Sequence, residues 1–237
     1  MNDRFYFRQL LSGRDFANDD GAAQQMVNFV YALGDRVTGE AMLVDPAYDP
    51  RELLALVQSD EMNVTGVLLT HYHPDHAGGS LFGTQIEGIR ELLEEIDVPV
   101  HVHRDEVAWI SEVTGVDESA MVAHESGDRV MVGDLDVTLI HTPGHTPGSQ
   151  CLLADGRFLT GDTLFVDGCG RTDLPGSDPE EMYRTLSTRL SAIGDDAILF
   201  PGHQYSVASS APMGEVRREN FVLAPRTREQ WFAMFAS

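Results

Sequence analysis

The sequence predicts an α/β fold, because short apolar strand segments alternate with helical segments along most of the chain. Several of these strand segments end in histidine or aspartate, which are residue types that bind divalent metals. The length of 237 residues suits one domain with a buried core, and a hydrophobic fraction of 42% is ordinary for a globular protein. We therefore expect residues 1–237 to form a single domain.

The first part of the chain is predicted to consist mainly of strands. The predicted strands are Phe5–Leu11, Val27–Leu33, Ala41–Asp45 and Val64–Leu69. Gly34-Asp35 is predicted to be a hairpin turn. Asp49-Pro50 opens a predicted helix over Arg51–Ser59, whose leucine and valine side chains share one face.

The second part alternates between the two kinds of element. The predicted helices are Ile86–Glu95, Asp105–Val113, Glu180–Ile193, Met213–Asn220 and Thr227–Phe235. The predicted strands are Val98–His103, Arg129–Val132 and Asp136–Ile140, together with short strands before Gly161-Asp162 and Gly202-His203. We interpret His101, His103 and His124, in the middle of the chain, as structural or surface residues.

The most informative segment is Thr70–His76, which directly follows an apolar strand. His71 and His73 lie two residues apart, so their side chains can point the same way and converge on one cation. Asp75 and His76, beyond a proline, can face a second cation. Imidazole and carboxylate are ligands of zinc, iron and manganese.

Three more residues of the same types follow at turns or strand ends. His145 lies between two Pro-Gly pairs, a composition that forces turns and lets the backbone approach a ligand. Asp162 and His203 each follow a glycine at the end of a short strand. The sequence therefore predicts a metal site built from several loops.

These residues resemble the metal-binding motifs of the metallo-β-lactamase superfamily. The segment from His71 to His76 matches its His-x-His-x-Asp-His motif, and His145, Asp162 and His203 match its three later ligand positions in order. The resemblance implies a four-layer αβ/βα sandwich of two mixed β-sheets flanked by helices. It also implies one metal bound by His71, His73 and His145, a second bound by Asp75, His76 and His203, and Asp162 as the bridging ligand.

A narrower resemblance lies after the bridging position. Gly161–Phe165 and Gly168–Asp173 are similar to the branch that contains glyoxalase II and the persulfide dioxygenases. The following Leu174–Pro179 is closer to the dioxygenases. Glyoxalase II proper usually has aromatic residues after this segment, and this chain does not.

The leading hypothesis is a glyoxalase II-like, metal-dependent hydrolase. Two divalent metal ions, zinc before others, would present a metal-bound hydroxide to a small ester or thioester. Asp75 and Asp162 are the candidate catalytic residues, the first to orient the hydroxide and the second to bridge the metals. Candidate substrate-binding residues are Arg171, whose guanidinium can pair with a carboxylate, Tyr205, which can donate a hydrogen bond, and Cys169, which lies between two glycines.

Two alternatives use the same residues. A persulfide dioxygenase would bind one iron(II) through His71, His145 and Asp162, leaving positions open for oxygen and sulfur. A non-catalytic metal-binding scaffold is the third hypothesis. It is disfavoured because all seven ligand positions are present.

Charge and cysteine content restrict the partners. The chain has 16 basic and 38 acidic residues, a net charge of −22, and this surface repels polyanions such as nucleic acids. Cys151 and Cys169 are too few for a disulfide framework, and we find neither an export signal nor an apolar stretch of membrane-spanning length. We expect a cytoplasmic protein that acts on a small molecule, with a thiol conjugate among the candidates and no membrane or nucleic-acid partner; the oligomeric state stays open.

Overall fold

The computed structural model describes residues 4–224 and 227–234. Fourteen strands are found in this part of the chain: β1 (Phe5–Leu11), β2 (Phe29–Asp35), β3 (Glu40–Val44), β4 (Asn63–Leu68), β5 (Gly79–Leu81), β6 (Thr84–Ile86), β7 (Val100–His103), β8 (Met121–His124), β9 (Arg129–Val132), β10 (Leu135–His141), β11 (Gln150–Ala154), β12 (Arg157–Gly161), β13 (Ile198–Pro201) and β14 (Ala211–Pro212).

Eight α-helices connect and cover these strands: α1 (Gly21–Met26), α2 (Pro50–Ser59), α3 (Pro74–Ala77), α4 (Ile89–Glu95), α5 (Val107–Thr114), α6 (Pro179–Ser187), α7 (Met213–Glu219) and α8 (Arg228–Ala233). Short 3-10 turns are found at Arg104–Glu106, Glu118–Ala120, Arg189–Ala192 and Phe221–Leu223. None of the helices in the described ranges combines the length and apolar character that a membrane crossing requires.

The strands form two six-stranded mixed sheets and one short hairpin. The first sheet has the order β1-β2-β3-β4-β7-β8, the second has the order β14-β13-β12-β11-β10-β9, and β5 pairs with β6. Three apolar layers separate the elements. One lies between the first sheet and α2, α4 and α5, one between the two sheets, and one between the second sheet and α6, α7 and α8. This arrangement of helices, sheet, sheet and helices confirms the predicted four-layer sandwich.

The layer between the sheets holds the two halves of the fold together. Leu68 of β4 and Leu159 of β12 are at most 1% exposed in this layer. β4 runs parallel to β3 and β7, and β12 runs parallel to β13. The carboxyl ends of β4, β12 and β13 are followed by the loops that carry His71, Asp162 and His203, so pairing of the strands brings these loops together.

The predicted turn at Gly34-Asp35 is wrong, because both residues belong to β2 and the turn lies beyond them. Gly34 pairs with Tyr6 on one side and Ala41 on the other, and a Cβ there would collide with the Glu40 carbonyl oxygen. Asp35 is buried and accepts a hydrogen bond of 2.7 Å from Arg4 Nε. The close approach of the strands therefore explains the glycine.

The predicted helix over Glu180–Ile193 is interrupted. α6 ends at Ser187, Thr188 leaves the helical region with φ −127°, and a 3-10 turn follows. Ser187 Oγ donates to the Tyr183 carbonyl and Ser191 Oγ to the Thr188 carbonyl. Such hydroxyls compete with the backbone for helical hydrogen bonds, which explains the break.

Other boundaries differ by a few residues. The start of the predicted helix Ile86–Glu95 is strand β6, and helix α4 begins only at Ile89. The sequence analysis did not predict α1, β5, β6, β8, β11 or β14, nor the short helix α3, which holds Asp75 and His76 of the predicted metal loop. Met213–Glu219 and Arg228–Ala233 are helical as predicted, whereas Phe235, the last residue of the predicted C-terminal helix, lies outside the described residues.

Candidate metal centre

The seven predicted ligand residues meet at one edge of the sandwich. The buried members of this set are His71, Asp75, His76, His145 and His203. The Asp162 side chain is 11% exposed, and His73 is partly buried. A solvated histidine-rich loop would leave these side chains in water, so their burial indicates a preformed binding site.

A first group consists of His71, His73 and His145. One potential ligand atom from each lies within 4.8 Å of the others. His145 Nε2 is 2.9 Å from His73 Nδ1, and the His71 ring centroid is 4.8 Å from the centroid of each of the other two rings. Loops that are far apart in the sequence therefore present their imidazoles to one point.

A second group consists of Asp75, His76 and His203, with the same mutual spacing of ligand atoms. His203 Nε2 is 3.3 Å from His76 Nε2 and 3.4 Å from Asp75 Oδ2.

Asp162 faces both groups. Its Oδ2 atom is 3.6 Å from His145 Nε2 and 3.3 Å from His203 Nε2, and its Oδ1 atom is 3.4 Å from His76 Nε2. The carboxylate therefore lies between the groups.

Hydrogen bonds outside the centre fix the histidine tautomers. Each Nδ1–H donates to an oxygen that accepts it: His145 to the Arg171 carbonyl at 2.8 Å, His203 to the Met26 carbonyl at 2.8 Å, and His76 to Asp45 Oδ2 at 3.0 Å. In the neutral form of these three rings the Nε2 atom therefore carries the lone pair, and it faces the centre. This pattern is typical of metal-bound histidines.

His71 is oriented through a short relay. The Thr70 hydroxyl donates to Asp45 Oδ2 at 2.6 Å and accepts from His71 Nδ1 at 3.0 Å. His71 Nε2 therefore has no hydrogen, and within the described part of the chain it is buried without a hydrogen-bond partner, as is Asp162 Oδ1. Buried polar atoms without partners are costly, and a bound ion accounts for both.

The electrostatics favour neutral imidazoles in the first group. Burial lowers the pKa of His71 well below its ordinary value, and burial together with the neighbouring His145 lowers the pKa of His73 to about 3. Neutral imidazole is the form that binds metal.

The second group attracts positive charge. Burial opposes protonation of His76, but Asp75 and Asp162 outweigh it and raise the pKa of His76 to about 10. Burial would also raise the pKa of Asp162, yet His203 and His76 hold that pKa well below its usual range. Lone pairs and carboxylate oxygens that converge at about 3 Å repel one another unless protons or metal cations lie between them. The residues present therefore fit a pair of divalent cations.

Glycines make room for this packing at two places. A Cβ on Gly202, just before His203, would contact Asp162 Oδ1 and lie 2.9 Å from the Gly161 carbonyl carbon. A Cβ on Gly170 would collide with the Asp162 carbonyl oxygen and lie 2.9 Å from His145 Nδ1. Larger residues at either position would displace a side chain of the centre.

Comparison with known proteins agrees with this geometry. A family model described as the metallo-beta-lactamase superfamily matches residues 26–203, which include all seven side chains of the centre. The chain belongs to the metallo-beta-lactamase superfamily.

Relatives within the superfamily carry names of hydrolases. A cytoplasmic hydroxyacylglutathione hydrolase of Arabidopsis thaliana is 33% identical over 187 residues, covering 76% of this chain and 65% of the relative. The chain therefore spans just under two thirds of that relative's length. A probable polyketide biosynthesis zinc-dependent hydrolase, BaeB, of Bacillus velezensis is 26% identical and is matched over 88% of this chain and 87% of its own. Among solved structures, ETHE1 from Myxococcus xanthus has a TM-score of 0.79 and 28% identity, covering 98% of this chain and 90% of that one.

The three predicted substrate-binding residues differ in their exposure and in their contacts with the metal centre. The Tyr205 ring stacks on His203 with centroids 4.6 Å apart and is 56% exposed, so it borders the centre. The Arg171 side chain points to Asp173 with two hydrogen bonds of 2.8 Å, and it is the Arg171 carbonyl that contacts His145. Cys169 packs beside the apolar layer under α6, and burial raises the pKa of its thiol to about 12.

The sequence analysis missed the residues that support the ligands. Asp45 receives hydrogen bonds from Thr70 and His76, and Asn28 Nδ2 donates to Asp75 Oδ2 at 3.1 Å. Tyr48 donates to Asn28 Oδ1 at 2.8 Å. The position of Asp45 at the end of a predicted strand, one strand before the histidine loop, was the available signal.

Four further histidines form two pairs outside the metal centre. His101 Nδ1 is 2.9 Å from His124 Nε2, and the His103 and His141 rings stack with centroids 3.8 Å apart. His103, Asp105 and His141 have ligand atoms within 4.8 Å of one another. However, His141 Nε2 donates to the Pro147 carbonyl, and His103 Nδ1 accepts from the Asp105 backbone. One ring nitrogen of each of these two residues is thus hydrogen-bonded within the protein, and the interpretation of His101, His103 and His124 as structural or surface residues stays a prediction.

Proposed function

We propose that this protein is a metal-dependent hydrolase that cleaves a small ester or thioester. The observation that carries the proposal is the convergence of imidazole nitrogens and two carboxylates in one largely buried centre, with the opposite nitrogens of three rings hydrogen-bonded to fixed oxygens. The superfamily and the names of its hydrolase relatives support the same reaction class.

The two groups of ligand residues suggest two divalent cations, and zinc is the metal that we favour. We assign one cation to His71, His73 and His145, a second to Asp75, His76 and His203, and the bridging position to Asp162. When bound, such cations acidify a water molecule and polarise a carbonyl group.

Asp75 is held in one orientation for its part in the reaction. Its Oδ2 atom accepts from Asn28 Nδ2, and the Tyr48 hydroxyl fixes the Asn28 amide from the other side. The other carboxylate oxygen, Oδ1, is assigned to accept a hydrogen bond from the attacking water. Asp75 thereby aligns the water with the carbonyl carbon of the substrate.

Neither cysteine serves as a nucleophile. Burial raises the pKa of Cys151 and of Cys169 to about 12, so both remain thiols at neutral pH. Covalent catalysis by a thiolate is therefore not part of the proposed reaction.

A small thiol conjugate is the proposed substrate class. The support is the name of the Arabidopsis relative, a hydrolase of an acylated glutathione. Tyr205 at the exposed rim is assigned to contact the substrate, with Arg171 and Cys169 on the neighbouring segment. A single domain over residues 1–237 and a cytoplasmic location belong to the same proposal.

The test is turnover by protein that has been stripped of metal and reloaded with zinc, on a panel of S-lactoyl thiols and simple esters. We expect hydrolysis by the wild type and a loss of more than about 100-fold in His71→Gln. His124→Gln, which changes a histidine outside the centre, is the matched control and should retain activity. No turnover on any substrate of the panel would refute the proposal.

A second candidate, an iron-dependent persulfide dioxygenase, is favoured by one specific observation. His71, His145 and Asp162 form a set of two histidines and one carboxylate, and two of its atoms, His71 Nε2 and Asp162 Oδ1, are buried without a hydrogen-bond partner among the described residues. Such a set suits a single iron(II). Oxygen consumption with a low-molecular-weight persulfide by protein with one iron per chain would support this candidate, and its absence would exclude it.

A further inference from the structure

Glu106 is a buried acid outside the centre described above. It ends the 3-10 turn between β7 and α5 and is 1% exposed. Burial raises the pKa of Glu106 to about 7, and its Oε2 atom is buried without a hydrogen-bond partner among the described residues. An acid buried in this way costs stability. The hydrogen bonds of Glu106 indicate its structural role.

The Glu106 carboxyl group contacts the loop that carries His145. Its Oε1 atom accepts from the Thr146 hydroxyl at 2.7 Å and from the Gly148 backbone N–H at 2.7 Å. The loop also packs directly on the side chain, because a Cβ on Gly148 would lie 2.7 Å from Glu106 Cγ. This glycine allows the loop to approach the acid.

The same carboxyl group faces the loop that carries the other two ligands of the first group. Tyr72, the residue between His71 and His73, stacks its ring on Trp109 of α5, the helix that follows Glu106, with centroids 4.9 Å apart, and its backbone N–H lowers the pKa of Glu106 against the effect of burial. Glu106 therefore lies between the histidine loop and the His145 loop, behind the point where His73 Nδ1 and His145 Nε2 are 2.9 Å apart. Its contacts reach neither His76 nor His203 in the second group.

We propose that Glu106 is a positioning residue that sets the spacing between the two loops of the first ligand group, and thereby the metal affinity of that group alone. The proposal rests on the ligand assignment made under the proposed function. It assigns Glu106 no contact with substrate. Residues that hold ligands from outside typically change metal affinity 10–100-fold when they are removed.

The test measures the affinities of the two zinc equivalents by competition with a chromophoric chelator, together with the visible absorption of the cobalt(II)-substituted protein. His145→Gln and His203→Gln assign the equivalents to the first and second groups. Glu106→Ala should weaken the first equivalent about 10–100-fold, leave the second unchanged and alter the cobalt spectrum. Glu106→Gln keeps an acceptor for Thr146 and Gly148 but turns an amide NH2 group toward the Tyr72 N–H, so it should weaken the first equivalent less than Glu106→Ala does.

Thr146→Val provides a milder variant in case Glu106→Ala does not fold. It removes one donor to Glu106 and should weaken the same equivalent about threefold to tenfold. Glu112→Gln, an exposed acid on the adjacent helix α5, controls for the change in charge and should behave as wild type.

Two results would overturn the proposal. One is wild-type affinity for both equivalents in Glu106→Ala and in Thr146→Val. The other is an equal weakening of both equivalents with a lower Tm, which would show a general loss of stability. These measurements need no substrate, so a wild type that binds two cations but hydrolyses no thioester would refute the proposed function and leave this inference standing.

Discussion

Replacing Asp45 by asparagine tests how the centre is held from outside. The carboxylate is 3% exposed and accepts three hydrogen bonds: from Thr70 N at 2.7 Å, from the Thr70 hydroxyl at 2.6 Å and from His76 Nδ1 at 3.0 Å. Asparagine has the same shape and tolerates the left-handed backbone at this position, where φ is 53°. The substitution therefore changes hydrogen bonding and charge without adding backbone strain.

The structure gives the expected size of the effect. If Oδ1 keeps the Thr70 N–H, the new NH2 group faces two donors, and two hydrogen bonds to a charged group are lost. At about 1.5 kcal/mol each, the loss is about 3 kcal/mol in the free energy of unfolding, or a Tm lower by about 6–12 °C. His76 can then accept at Nδ1 only by placing its proton on Nε2, the atom that faces the centre.

The second zinc equivalent should consequently weaken about 10–100-fold, which chelator competition measures directly. Thermal unfolding of the metal-free protein gives the stability term separately. Asp19→Asn, an exposed acid, is the matched control for the loss of one charge. Wild-type affinity for both equivalents, with an unchanged Tm in Asp45→Asn, would refute the reasoning.

Further predictions concern stability and packing. If the free metal concentration is 100 times the Kd of a site, chelation of the metal should lower the free energy of unfolding by about 2.7 kcal/mol for that site. The loss is measured as a lower Tm, and an unchanged Tm would count against bound metal. Leu68→Ala, in the layer between the sheets, should cost about 2–5 kcal/mol by denaturant titration, and a cost below about 1 kcal/mol would contradict the packing described. Gly202→Ala should displace Asp162 and weaken both zinc equivalents, and unaltered binding would show that the loop yields. Folding raises the pKa of Glu106 from 4.5 to about 7, so between pH 4.5 and pH 7 this residue takes up a proton when the chain folds. The free energy of unfolding of the wild type therefore falls as the pH rises through this range. The unfolding free energy of Glu106→Gln minus that of the wild type should rise by about 3 kcal/mol from pH 4.5 to pH 7.5, and a flat difference would contradict the burial of this acid.

The residues that meet in the candidate metal centre could be found in the sequence because their chemistry is visible in their identity and local spacing. His71 and His73 follow a strand, and Asp162 and His203 each follow a glycine at a strand end. The fold followed from the family resemblance, and the structure and the comparisons confirm it.

The supporting residues could not be predicted, because their partners are distant in the sequence. Asp45 is 25 residues from Thr70, and Glu106 is 42 residues from Gly148. Local pattern likewise gave no sign that Gly34 belongs inside a strand, since the close approach of Glu40 appears only when β2 and β3 pair. Glycine at such a position is read as a turn unless the neighbouring strand is known.

The most direct test of the central claim is a crystal structure of the zinc-loaded protein with anomalous differences measured at the zinc edge. We predict two anomalous peaks, one contacting His71, His73 and His145 and the other contacting Asp75, His76 and His203, with Asp162 between them. Peaks at other positions, or none within this cluster at saturating zinc, would contradict the account.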